Sequence, residues 1–409
     1  MRELFNENVT SIETYIMFKI TEKANELREE LTAKGREPIS LAMGAPTCRP
    51  PQFVIDEIKK LVDIDAMHTY SSPKGEKTYL EAVANRMKKR FGVEVNTKTE
   101  ICSLIGSKEG IANMIRALIN PKHDIKDKDI ILTPNPSYAS YKEMVKVSGG
   151  YSYSVPLTPE NNFMPDLDEV WDNLIKDGFN PKKVKALLVN YPSNPLGATA
   201  TLDYYKHAVE FCKKHHILLI GDSAYCDLYY DESKKPHSIL EVEGAKDIAV
   251  EFFSFSKPYA MTGWRLGYAC GNKVLIDAMK KIHQYAIMCS PTTAQFAAIE
   301  ALKNGDESVS EMVKEYNRRR RVLVDGFRKL GFECFEPLGA FYVFPCIKST
   351  GLSSEEFCEK LLLKEKILTV PGNAFGECGE GFIRACYASS MENIYEALRR
   401  IERFVKEEL

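Results

Sequence analysis

From about residue 100 to 270, short aliphatic runs alternate with stretches whose apolar positions recur at helical spacing. The runs are Ile101-Cys102-Ser103-Leu104-Ile105, Ile130-Ile131-Leu132, Lys185-Ala186-Leu187-Leu188-Val189, Ile217-Leu218-Leu219-Ile220, Ala249 to Phe253 and Leu266 to Ala269. They show little polar alternation, so both faces of each strand are expected to be buried. Helices between them would supply the cover, and the pattern predicts a mostly parallel α/β sheet flanked by helices. The rhythm changes after that. Residues from about 291 to 330 read as one or two long helices. Ala340-Phe341-Tyr342-Val343-Phe344 and Phe382-Ile383-Arg384-Ala385 then read as strands between further helices, an α+β pattern. A second, smaller domain is therefore expected to begin near residue 300. The first 45 or so residues do not fit the sheet pattern and are expected to pack with the C-terminal part.

The length of 409 residues agrees with two domains, since single cores stop growing well short of it. The net charge of −2 gives no electrostatic case for nucleic acid or an anionic membrane surface. Arg318-Arg319-Arg320-Arg321 is no exception, because consecutive helical residues point around the whole circumference. No uninterrupted apolar stretch approaches the roughly 20 residues of a membrane span. The 11 cysteines show no C-x-x-C spacing, and Met1 to Asn8 lacks the apolar core of a signal peptide. Reduced thiols in a cytoplasmic protein are expected. Cys212-Lys213-Lys214-His215-His216 has no second ligand cluster, and its basic residues suit the end of a helix, so no metal is expected.

Candidate chemistry lies where the aliphatic runs end. In open α/β sheets, ligands bind at the carboxyl ends of the strands. The run Ala249–Phe253 leads into Ser254-Phe255-Ser256-Lys257-Pro258, with Arg265 eight residues further on. Burial disfavours a charged lysine, and a neutral amine can form a Schiff base with an aldehyde. An arginine and serine hydroxyls nearby suit a phosphate. An aldehyde cofactor that carries a phosphate is pyridoxal 5′-phosphate. The run Ile217–Ile220 leads into Gly221-Asp222-Ser223-Ala224-Tyr225. An acid placed after buried aliphatics needs a partner, and an ionised Asp222 beside a pyridine nitrogen would keep the ring an electron sink. Tyr225 can reach the neighbouring ring oxygen. Gly106-Ser107-Lys108-Glu109-Gly110 enters a helix, a place where free N–H groups and the dipole favour a phosphate. Pro134 to Tyr141 offers Tyr138 to stack on a ring, and Asn190 to Gly197 fixes Asn194 between two prolines.

Together these residues resemble the class I/II aminotransferases of the fold-type I pyridoxal-phosphate enzymes, over nearly the whole chain. Ser254-Phe255-Ser256-Lys257 through Trp264-Arg265-Leu266-Gly267-Tyr268 is close to that family's lysine signature. The resemblance implies a seven-stranded, mostly parallel sheet in a large cofactor-binding domain, residues 46–300. It implies a small α+β domain, residues 301–409, with residues 1–45 as an arm packed on it. Lys257 would be the Schiff-base lysine, with Ser254, Arg265, Ser107 and the amide of Lys108 on the phosphate. Asp222 would meet the pyridine nitrogen, Tyr225 and Asn194 the phenolic oxygen, and Tyr138 the ring face. Leu41 to Pro46 is similar to the family segment that places Gly44 near the substrate carboxylate, and Val370 to Gly376 with Phe382-Ile383-Arg384 resembles the C-terminal signature. Arg384 would then grip the substrate α-carboxylate in a bidentate fork. Tyr70-Ser71-Ser72-Pro73-Lys74-Gly75 resembles the segment whose tyrosine reaches a neighbouring subunit's phosphate, which implies a homodimer with shared active sites.

Three positions depart from the family pattern: Leu196 stands for threonine, Thr47 for aspartate and Glu81 for arginine. The reaction implied is reversible, ping-pong transfer of an amino group between an L-amino acid and a 2-oxo acid, with Lys257 as general base. A carbon–sulfur β-lyase shares the cofactor residues, and a non-catalytic scaffold would not need Lys257, Asp222 and Arg384 intact. Lys108 points the substrate reading to a distal carboxylate: aspartate or glutamate first, with diaminopimelate or alanine aminotransferase as alternatives. Tyr15, Phe18 and Phe341 are expected to line the side-chain pocket.

Overall fold

The computed structural model describes residues 5–12, 14, 18, 22, 25 and 37–408. Its central sheet consists of β1 (Ile101–Leu104), β2 (Ile130–Asn135), β3 (Tyr151–Pro156), β4 (Val184–Asn190), β5 (Leu218–Asp222), β6 (Ala249–Ser254) and β7 (Gly267–Gly271). The seven strands lie in the order β1-β7-β6-β5-β4-β2-β3. Strand β7 runs antiparallel to both neighbours, and every other adjacent pair is parallel. The aliphatic runs thus form the predicted sheet, buried on both faces by helices.

Two features differ from the reading of the chain. Strand β3 was not among the aliphatic runs. Tyr151-Ser152-Tyr153-Ser154 alternates aromatic with serine, as suits a half-buried strand at the sheet edge, and both tyrosine rings pack on Phe179 at 4.7 and 5.5 Å. The strands also run on past their aliphatic residues. Asn190 pairs with Asp222, and Asp222 with Phe252, so the acid is the last residue of β5 rather than part of the following loop.

A second core gathers Tyr316, Leu323, Phe327, Phe357, Ile401 and Phe404 around a three-stranded antiparallel sheet of Tyr342–Val343, Ile383–Cys386 and Val370–Pro371. Ile39–Ser40 pairs in parallel with Ile367–Leu368 and so joins this core. The helix Glu7–Thr10 packs instead on the helix Ser140–Val147 beside the central sheet, and Lys146 Nζ donates to the Ser11 carbonyl. Among the described residues, the expected packing of the first 45 on the C-terminal part therefore holds only near the end of that segment. The helical stretch after residue 291 is two helices, Thr292–Asn304 and Asp306–Lys329. Within the second, Arg318 and Arg319 share Glu315, and Arg320 is buried against Glu336. His215 lies on the Trp171 ring and Cys212 is in the core. Among the described residues no helix is long and apolar enough to cross a membrane.

Candidate active site

The carboxyl ends of the strands open into a cavity of about 380 Å³ that the second core closes from the far side. Of the twelve residues given a cofactor, substrate-carboxylate or catalytic role from the sequence, eleven line it, and Tyr70 does not. None of Leu196, Thr47 and Glu81 lines it.

Lys257 sits in the turn three residues beyond β6, and its Nζ donates to the Gly44 carbonyl at 2.6 Å. The same nitrogen lies 5.5 Å from the ring centroids of both Tyr225 and Phe341. Burial lowers the amine to about 8; the Arg384 guanidinium pushes the same way, while Cys386 and Asp222 pull back. At pH 7 about a tenth of the side chain is then the neutral nucleophile, far more than for an ordinary lysine. Gly44 comes this close because it has no side chain: a Cβ there would stand 2.5 Å from the Tyr342 hydroxyl.

Asp222 accepts from the Tyr141 hydroxyl at 2.6 Å and from the Ala224 N–H at 3.2 Å. Burial still pushes its carboxyl up to about 6 against those bonds and the nearby Lys257 charge. A cationic N–H delivered to this carboxylate would relieve that cost. Tyr225 follows in the next turn. Its hydroxyl lies 2.7 Å from that of Tyr342 and its ring meets Phe341 edge-on, while burial holds the phenol well above its usual range.

Arg384, on the strand Ile383–Cys386, is clamped from several sides. One terminal nitrogen donates to Asn194 Oδ1 at 2.8 Å and the other to the Ala42 carbonyl at 2.6 Å. The guanidinium carbon lies 4.4 Å from the Tyr342 centroid and 4.8 Å from that of Phe375. Its Nε is buried with no partner. Asn194 is itself held by its backbone N–H donating to Asn190 Oδ1 at 3.1 Å. A planar fork, pre-oriented and with donor capacity to spare, matches a carboxylate.

Opposite, Gly106 at φ 110° turns the chain from β1 into the helix Ser107–Leu118. A Cβ on Gly106 would lie 2.8 Å from an Arg265 terminal nitrogen, so the guanidinium stands directly over the turn. Ser254 and Ser256 face the same space, the serine Oγ at 254 accepting from the 256 N–H at 3.1 Å. Helix N–H groups, a guanidinium and hydroxyls around an open turn form a site for a dianion. Tyr138 meets Tyr141 edge-on at 5.5 Å, and Lys108 Nζ lies 5.5 Å from the Tyr138 centroid.

Of the three expected side-chain-pocket residues, neither Phe18 nor Phe341 is part of the cavity lining. Phe18 is 64% exposed and outside the cavity lining, and Tyr15 falls outside the described residues. Phe341 is buried behind Lys257. Sequence reasoning passed over Tyr141, Asn190, Tyr342 and Phe375, all of which line the cavity. Each lies in or beside a string already quoted, but only the fold decides which aromatic or amide faces inward.

The groups present fit pyridoxal 5′-phosphate: a lysine of lowered pKa, an acid lacking a cationic partner and a dianion cradle share one cavity. The family model for "Aminotransferase class I and II" matches residues 36–401. The chain is 39% identical over 381 residues to the LL-diaminopimelate aminotransferase of Nitratidesulfovibrio vulgaris (strain DSM 19637 / Miyazaki F), covering 92% of this chain and 94% of the relative. The solved aromatic aminotransferase from Pyrococcus horikoshii OT3 superposes with a TM-score of 0.84 at 35% identity, over 93% of this chain and 98% of that one. A double mutant of the Thermus thermophilus aspartate aminotransferase gives 0.87 at 30% identity, over 98% and 99%. The chain belongs to the class I and II aminotransferases, with their fold-type I architecture, and is a pyridoxal-phosphate-dependent transaminase.

Proposed function

We propose that this enzyme transfers the amino group of an L-amino acid carrying a distal carboxylate, with LL-diaminopimelate the foremost candidate and glutamate or aspartate next, to a 2-oxo acid. The observation that carries the substrate reading is Lys108, which lines the cavity and has its Nζ 5.5 Å from the Tyr138 centroid. The relative named for diaminopimelate, at 39% identity, and the structural neighbour named for aspartate both have substrates with a second carboxylate, which supports the same reading.

In this reading, Lys257 is the point of covalent attachment for the cofactor's aldehyde. When bound, the cofactor supplies that aldehyde and an electron-poor ring that accepts the electron pair released at the substrate Cα. Asp222 holds a proton on the pyridine nitrogen, and Tyr141 and Ala224 keep its carboxylate aimed. Tyr225 and Asn194 serve the phenolic oxygen, Tyr138 covers the ring, and Ser107, the Lys108 amide, Ser254 and Arg265 take the phosphate. Arg384, with Asn194 and Gly44, orients the substrate α-carboxylate. Lys257 would serve as the general base that takes the proton from the substrate Cα. Its lowered pKa supports this base role, because a resting ammonium could not accept the proton.

Tyr70 is 80% exposed and outside the cavity of its own chain, which supports its service in the site of a second copy and hence a homodimer. The separate cores support a large domain, 46–300, and a small domain, 301–409, and the end of the arm, 1–45, joins the second core through Ile39 and Leu41. Eleven thiols, none of them cross-linked, favour the reducing cytoplasm.

A donor panel against 2-oxoglutarate and pyruvate tests the proposal. Lys108→Ala is expected to lower kcat/KM for diaminopimelate, glutamate and aspartate about tenfold or more, and to spare alanine. Equal losses on all four would refute the distal-carboxylate reading. Release of pyruvate and ammonia without any acceptor would favour the β-lyase alternative.

A further inference from the structure

His283 lies on the helix Lys273–Ala286, which packs against the helix Ser107–Leu118. It is fully buried, does not line the cavity, and has no part in the reaction described above. Its Nδ1 lies 2.9 Å from Glu109 Oε1, and its Nε2 is buried with no partner. A proton on Nε2 would be a buried donor without an acceptor, which is unfavourable. The ring nitrogen that donates is therefore Nδ1, to Glu109.

Glu109 passes this contact to the turn. Its Oε2 accepts from the Ile105 backbone N–H at 3.3 Å, immediately before Gly106. Its Oε1 also accepts from Asn113 Nδ2 one helical turn on. The segment Ile105-Gly106-Ser107 is thus tied to Glu109 on one side and lies under the Arg265 guanidinium on the other. Gly106, at φ 110°, has the conformational freedom to lose this shape, so the geometry of the first helix N–H groups depends on that tie.

We propose that His283 is a positioning residue for the phosphate-binding turn, acting through Glu109 to hold the backbone of Ile105 to Ser107 in the shape that presents its N–H groups to the cofactor's phosphate. The proposal rests on the assignment of Ser107 and Arg265 to that phosphate.

The test titrates apoenzyme with pyridoxal 5′-phosphate and, separately, with pyridoxal, which lacks the phosphate. His283→Leu keeps the bulk and removes the donor, while His283→Asn returns an N–H close to the Nδ1 position. His283→Leu is expected to raise the Kd for pyridoxal phosphate about tenfold, the loss of one charged hydrogen bond, and to leave pyridoxal within about twofold. His283→Asn should recover most of the difference. Arg265→Ala, run alongside, reports on the phosphate site itself. If His283→Leu leaves the affinity ratio of the two ligands unchanged while Arg265→Ala collapses it, the positioning role is wrong and the phosphate assignment stands. If Arg265→Ala also leaves the ratio unchanged, both are wrong. Equal weakening of both ligands by His283→Leu overturns the proposal in favour of a general structural role. Should His283→Leu fail to fold, Glu109→Ala must show the same phosphate-specific loss, and a wild-type ratio there overturns the proposal.

Discussion

Replacing Arg384 by lysine keeps the positive charge and removes the fork. The guanidinium spends one N–H on Asn194 at 2.8 Å and one on the Ala42 carbonyl at 2.6 Å, which leaves donors on both terminal nitrogens and on the unpartnered Nε. Two of those donors can meet a carboxylate side by side while the first two hold the plane. A lysine ammonium has three donors on one atom and cannot reach Asn194, Ala42 and both carboxylate oxygens together. At least one charged hydrogen bond to substrate is lost, and one buried acceptor is left unsatisfied. With about 1.5–3 kcal/mol for the first and about 1–3 kcal/mol for the second, the loss is about 2.5–6 kcal/mol, or roughly 10²- to 10⁴-fold in kcat/KM. The assay is steady-state turnover of the best donor with 2-oxoglutarate, at cofactor occupancy matched to wild type by absorbance. A simple alkylamine donor without a carboxylate serves as the control, and its slow rate should hardly change. Arg384→Lys within about threefold of wild type on the amino acid, or an equal loss on the alkylamine, would refute the assignment of Arg384 to the α-carboxylate.

Other consequences follow from buried ionisable groups. Glu251, fully buried on β6, accepts from the Ser223 hydroxyl at 2.5 Å and from the Ser238 hydroxyl, and burial pushes its carboxyl up to about 7. The native state therefore holds this proton more tightly than the unfolded chain, and stability falls as pH rises from about 4.5 through about 7 and then levels off. Glu251→Gln removes the effect, so its thermal stability relative to wild type should improve by up to about 3 kcal/mol between about pH 5 and pH 8, and a pH-independent difference contradicts this. Lys257 titrates near 8, so the rate at which apoenzyme captures pyridoxal phosphate should climb as pH rises through about 8 and then plateau. A profile flat from about pH 6.5 to 9.5 is incompatible with a lysine of lowered pKa.

The parts of the fold and site legible in the chain share a physical cause. A strand buried on both faces writes itself as an aliphatic run, and its carboxyl end is where chemistry collects, so Asp222 and Lys257 could be found by reading off the ends of β5 and β6. Strand β3 lacked that signal, because an edge strand tolerates Ser152 and Ser154 on a half-exposed face. Tyr342 escaped notice for another reason. It lies 117 residues beyond Tyr225, and only the packing of the second core on the sheet brings their hydroxyls to 2.7 Å. The tie from His283 to Glu109 is likewise a contact between two helices that no local pattern announces. Phe18 shows the converse error: its aromatic character suggested a pocket wall, yet 64% of it is exposed.

The most direct test of the site is where the cofactor attaches. Borohydride reduction of the holoenzyme, followed by peptide mapping, should fix pyridoxal phosphate on one peptide, with the label on Lys257. Wild-type protein labelled at a different lysine, or left unlabelled while still active, would contradict it.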